Sequence, residues 1–197
     1  MNPRMAIVAM LLAALAAVGG CGGADRVFER DGALWRADGA GGKASRLADV
    51  GGFAKVLSEQ GVCYVFFDLG RETAPLRVLQ CSADGTIVAS RLLARDGWEA
   101  ANAILRVTWL RDNRIFVDTH VNPSLGFGVE IDLDSGASNV YAGTTFAWDP
   151  DARRVAVLRE PPHFGSPPDV PSKLMVGHEE ICDVPHRNSS GTPGATR

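Results

Sequence analysis

Short apolar runs separated by turn residues recur from residue 26 to about residue 184. Val27-Phe-Glu-Arg is followed by Asp31-Gly32 and then by Ala33-Leu-Trp-Arg. Asp-Gly between two apolar runs predicts a two-residue hairpin, because that turn needs positive φ at both central positions. The same grammar returns at Asp84-Gly85, Arg111-Asp-Asn-Arg114, Asp134-Ser-Gly136 and Asp149-Pro-Asp-Ala152. Between these turns lie runs at 62–68, 76–82, 86–93, 104–110, 115–120, 128–133, 138–142 and 154–159, rich in Val, Ile, Phe or Thr. Only 96–103 looks helical, and it is too short to carry a wide apolar stripe. The predicted body, 26–184, is all-β and antiparallel.

Two of these units align. Val107-Thr-Trp109-Leu-Arg-Asp-Asn-Arg-Ile-Phe-Val and Phe146-Ala-Trp148-Asp-Pro-Asp-Ala-Arg-Arg-Val-Ala-Val place their tryptophans thirty-nine residues apart. One four-stranded sheet per roughly forty residues is the arrangement of a β-propeller blade. The second of these segments resembles the Trp-Ser-Pro-Asp-Gly element of TolB-like propeller blades. The run from Asp31 to Leu47 looks like the outer two strands of such a blade. The resemblance implies four-stranded blade-like sheets, four at most in a body of about 160 residues. The first unit would lack its inner strands unless the C-terminal segment supplies them. A generic antiparallel meander or sandwich is the alternative reading of the same turns.

The N-terminus is of another kind. One cation, Arg4, precedes thirteen uncharged, largely aliphatic residues (6–18), followed by Gly19-Gly20-Cys21. At 1.5 Å per residue that stretch reaches about 20 Å, short of the roughly 30 Å hydrocarbon core, so a signal peptide fits better than a membrane span. Val18-Gly19-Gly20-Cys21 resembles the lipobox of bacterial lipoproteins. In that family the Cys sulfur is lipidated and the peptide is cut just before it. The resemblance implies a signal peptide at 1–20, lipid on Cys21, a short linker at 21–25, and a protein held on a membrane by its acyl chains. Gly22 after the Cys implies, by the family's sorting rules, the outer membrane, with the body facing the periplasm.

Composition narrows the function. The chain has 197 residues, 46% hydrophobic and 22% charged, as ordinary globular domains do. Twenty Lys+Arg against 23 Asp+Glu, with no basic block, argue against a nucleic-acid partner. Setting Cys21 aside leaves Cys63, Cys81 and Cys182. A hairpin folding about Glu72 would set Cys63 opposite Cys81, a candidate cross-strand disulfide in an oxidising compartment. Two buried thiols acting as small apolar residues are the alternative.

Candidate chemistry is sparse. His178-Glu-Glu with Cys182 lacks the His-Glu-x-x-His spacing of a zinc helix. Asp132-Leu-Asp134-Ser-Gly136 alternates carboxylates as calcium loops do, without the closing Glu, so a turn explains it better. No Gly-x-Ser-x-Gly element is present, and Asp118, His120 and Ser124 are the nearest loose set of triad residue types. Gly39-Ala-Gly-Gly42 opens no helix and so cradles no dinucleotide. No metal and no cofactor is expected. The proline-rich stretch 160–171 carries His163 and Phe164 at its centre, a candidate binding loop. The final residues, 185–197, have no aliphatic side chain larger than Ala and are expected to be disordered. The expectation is a non-enzymatic envelope lipoprotein with a β-rich module that binds an envelope partner. The rival readings are a periplasmic hydrolase using His120 or His163 as base and an inactive propeller relic.

Overall fold

The computed structural model describes residues 23–39, 41–58, 60–68, 74–149, 154–161 and 170–185. Cys21, His163, Phe164 and residues 186–197 of the tail lie outside the described residues. The first sheet has three strands, β1 (Arg26–Arg30), β2 (Ala33–Ala37) and β3 (Ala44–Asp49). A single 3-10 turn, Val50–Gly52, leads to the second sheet, β4 (Phe53–Ser58), β5 (Gly61–Phe67), β6 (Leu76–Cys81) and β7 (Ile87–Leu93). The third contains β8 (Ala103–Leu110), β9 (Arg114–Asn122), β10 (Leu125–Asp132) and β11 (Ser138–Gly143). The fourth contains β12 (Thr145–Asp149), β13 (Arg154–Arg159), β14 (Ser172–Val176) and β15 (Glu179–Val184). Each sheet is a meander of sequence neighbours, all antiparallel, so the body is all-β with blade-like sheets.

Turn chemistry sets the hairpins. Asp31 and Gly32 take φ of 49° and 71°, and Asp112 and Asn113 take 59° and 52°. Positive φ at both central residues is the twist-matched turn that Asp-Gly and Asp-Asn favour.

The middle sheets are buried on both faces. Along β9, Ile115 and Val117 pack toward the second sheet, and Phe116 between them packs toward the fourth. Along β5, Cys63 and Val65 join the second–third cluster, while Tyr64 and Phe66 join the first–second cluster. Such strands read as unbroken apolar runs rather than alternating ones. Three apolar clusters result, each between consecutive sheets, and none of the three joins the fourth sheet to the first. Apolar packing among the described residues therefore runs through a stack of four sheets.

Several expectations need correction. The stretch 96–103 forms no helix: Trp98 N–H donates to Arg95 O at 3.0 Å, Ala101 N–H to Trp98 O at 3.1 Å, and β8 begins at Ala103. Trp98 is 1% exposed between the second and third sheets, and burying that ring replaces helix with a turn. The β5–β6 register pairs Cys63 with Gln80 and Val62 with Cys81, so the two cysteines are not opposed. A one-residue slip sends them to opposite faces, Cys63 into one cluster and Cys81 into the next, and both are free thiols. The pattern also missed β4, whose residues are half-exposed or exposed, β14, and β15, which is exposed along nearly its whole length. No strand from the C-terminal part joins the first sheet among the described residues. The spacing of units is uneven because 94–102 is inserted between β7 and β8, whereas β11 runs almost directly into β12.

Candidate functional site

The first strands of the last three sheets end near one another, and a cleft of about 750 Å³ opens there. Its walls are Leu57, Ser58 and Gln60 at the end of β4, Trp109 to Asn113 at the end of β8, and Trp148 near the end of β12. Each wall is therefore the end of a first strand or the hairpin turn that follows it. A smaller void of about 30 Å³ continues from Ser58, Gln60 and Trp109 down to Cys63, Gln80 and Cys81.

The turns are held from behind. Ser58 Oγ donates to Gly61 O at 3.3 Å and accepts from Gln60 N–H at 3.2 Å, tightening the β4–β5 turn. Gly61 has φ of 142°, and a Cβ there would strike the carbonyl oxygen of Cys81, so only glycine lets the turn lie against β6. Asn113 spans two sheets. Its Oδ1 accepts from Gln80 Nε2 at 3.1 Å, its Nδ2 donates to Asp134 Oδ1 at 2.6 Å, and its carbonyl accepts from Leu133 N–H at 3.0 Å. Trp109 packs against the second–third cluster, and Trp148 against the third–fourth cluster with its ring 6.2 Å from Phe116. Leu57 is 71% exposed at the mouth, an apolar surface left open to solvent.

A second cavity, about 240 Å³, lies between the first two sheets, lined by Asp25, Arg36, Leu47, Arg77, Leu79, Ile87 and Ser90. Both of its arginines are already engaged, Arg36 with Asp25 and Arg77 with Asp68 at 3.2 Å. An anion entering there would have to displace a carboxylate, so the first cleft is the better binding site.

The residues singled out for chemistry are dispersed. Asp118 is buried between the third and fourth sheets, with Oδ2 bound by Arg106 at 2.6 Å and Oδ1 without a partner among the described residues. Burial pushes its carboxyl above the ordinary carboxylate range even though Arg106 opposes that shift. His120 Nδ1 is 3.4 Å from Asn102 Oδ1, and among the described residues no hydrogen bond joins it to Asp118 or Ser124. His178 stacks on Tyr141 with centroids 5.0 Å apart. Asp132 Oδ1 accepts from the N–H and the hydroxyl of Ser135 and from the N–H of Asp134, which holds its carboxyl below the ordinary range and marks the segment as a turn. Among the described residues no three His, Cys, Asp or Glu side chains gather as a metal site. Burial raises Cys63 to about 12 and Cys81 to about 11, so neither thiol is nucleophilic near neutral pH. Cys182 is exposed on β15.

Sequence reasoning did not pick out Leu57, Gln60 or the paired indoles as a site. The signal was present in the thirty-nine-residue tryptophan repeat, which puts both rings at equivalent ends of first strands. Compared with known proteins, the chain matches no family model and no curated protein.

Proposed function

We propose that the protein is a membrane-anchored envelope lipoprotein whose blade-like body binds a ligand or partner and performs no chemistry of its own. The cleft carries the binding half of this reading. Among the described residues its lining supplies two indoles, an exposed leucine, a serine hydroxyl, amides, Arg111 and Asp112, without a histidine, a lysine or a pair of carboxylates. That set offers surfaces and hydrogen bonds rather than a base and a nucleophile. The anchor half rests on the aliphatic run at 6–18 and on Val18-Gly19-Gly20-Cys21, which resembles a lipobox. Two or three acyl chains hold a protein firmly on a bilayer where one would not. The outer membrane, with the body facing the periplasm, is the proposed location.

Mass spectrometry of the protein taken from native membranes tests the anchor. The expected mature N-terminus is Cys21 carrying a diacylglyceryl group, and Cys21→Ala is expected to move the protein out of the membrane fraction. An intact Met1 or an unmodified Cys21 thiol in the membrane-derived protein overturns the anchor.

A further inference from the structure

We infer that the outer face of the first sheet rests on the bilayer that holds the anchor, with the rings of Phe28 and Trp35 among the lipid headgroups. The inference rests on the lipid anchor proposed above. Side chains alternate across a strand, and Val27, Leu34 and Ala48 turn inward to the first–second cluster. Arg26, Phe28, Arg30, Trp35, Ala37 and Arg46 therefore share the opposite face. Phe28 stands opposite Trp35 on β2, and Trp35 stands opposite Arg46 on β3. Both rings are half-buried, and neither belongs to any of the three apolar clusters. Among the described residues no apolar cluster covers this face.

The tether says what does. With lipid on Cys21, five residues separate the acyl chains from Arg26, and fully extended they span at most about 18 Å. Phe28 lies two residues further along β1, roughly 7 Å. So short a connection keeps the start of β1, and the face it carries, at the membrane surface. Aromatic rings settle at the boundary of hydrocarbon and water, where one end is apolar and the other wet. Arginine stems cover apolar surface there while the guanidinium stays hydrated. The Arg30 guanidinium takes that position over Trp35, 4.5 Å from the ring centroid, and Trp35 Nε1–H donates to Arg30 O at 3.1 Å, which fixes the ring. Each arginine also pairs with an exposed carboxylate: Arg26 with Asp84 at 3.3 Å, Arg30 with Asp31 at 3.5 Å, and Arg46 with Asp49. The rings and the short tether, rather than net charge, therefore carry the inference.

The test uses the full lipidated chain, purified from native membranes and reconstituted into vesicles of phosphatidylethanolamine and phosphatidylglycerol. The acyl chains of these lipids carry bromine next to the headgroup, which quenches an indole in contact with it. Part of the tryptophan fluorescence is expected to be quenched, and Trp35→Phe is expected to remove that quenching. Trp98 is buried, and Trp109 and Trp148 line the cleft on later sheets. Phe28→Ser and Ala37→Asp leave Trp35 to report, and each is expected to cut the quenching about twofold. Quenching that is equal in the original chain and in Trp35→Phe overturns the docking face. Trp35 quenching that neither Phe28→Ser nor Ala37→Asp lowers also overturns it, because the tether alone then brings the ring near the lipid. A dimer in detergent that Phe28→Ser dissociates would assign the face to a second copy and overturn the bilayer as its occupant. The anchor fails separately: a chain that does not float with the vesicles has none, whereas one that floats with Trp35 unquenched keeps its anchor and loses the docking face.

Discussion

Strand β9 is common to two interfaces that differ in kind. Toward the second sheet it presents Ile115 and Val117, which meet Val65, Val78, Trp98, Val129 and Ile131 in a wholly apolar cluster. Toward the fourth sheet it presents Phe116 and Asp118, among Phe146, Tyr141 and Trp148. Phe116 has Phe146, Trp148 and Tyr141 within 6.4 Å of its ring centroid. The first interface is filled mostly with aliphatic side chains, with the rings of Trp98 and Phe127 among them. The second relies on large rings that need room, on Gly128 opposite Asp118, and on a charge that needs Arg106. In the first the buried guanidinium of Arg95 stacks on Phe67 and Trp98, whereas in the second the buried carboxylate of Asp118 meets an opposite charge. The cleft opens where both interfaces end, with one indole from each.

The sharpest way to break the apolar interface is Trp98→Ala. The ring is fully buried, and removing it is expected to cost about 3–5 kcal/mol in urea unfolding. A loss under about 1 kcal/mol would show that the segment at 94–102 does not seal the second and third sheets together. In the aromatic interface the expected sensitivity is to added volume. A Cβ on Gly128 would collide with Phe116 Cζ and come within 2.7 Å of Phe146 Cδ1. Gly128→Val is expected to cost about 1–3 kcal/mol by the same measurement, with Phe116→Leu in the same chain recovering part of it. Strict additivity of the two substitutions would refute the contact.

The smallest effect separates the interfaces by pH. Asp118 has its carboxyl raised by burial, so the folded state binds its proton more readily than the unfolded state does. Its contribution is fully present below the ordinary carboxylate value of 3.8 and is lost as pH rises through the raised value. Asp118→Asn removes that dependence while keeping an acceptor for Arg106, whose own side chain is 60% exposed and stays hydrated. Melting temperatures of the two proteins are expected to diverge in favour of the variant as pH rises from about 4. Parallel curves would mean that Arg106 fully offsets the burial of Asp118.

Hairpins were legible because their turns are local. Asp31-Gly32 and Asp112-Asn113 need no tertiary partner to favour positive φ, and the strands around them follow. Strand type was legible in β5, β6, β9 and β10 because burial on both faces makes long apolar runs. By contrast β4, Phe-Ala-Lys-Val-Leu-Ser, alternates half-exposed and exposed residues, and its place is fixed by packing of Ala54 and Val56 on the neighbouring cluster. The cysteine pairing failed for a related reason. Register depends on where a loop closes, and one residue decides which face each thiol takes. The tryptophan repeat marked equivalent positions, but it gave no sign that Leu57 and Gln60, from a unit without that tryptophan, complete the same cleft.

By itself the amino-acid order determined the all-β character, the turn sites and the antiparallel hairpins, since each depends on residues within a few positions of one another. Only the tertiary structure decided that four sheets are joined by three apolar clusters, that Trp98 replaces a helix with a buried turn, and that indoles from two sheets face one cleft. Those features depend on contacts between segments about fifty residues apart in some cases, such as β4 with β8, and no local pattern encodes such a distance.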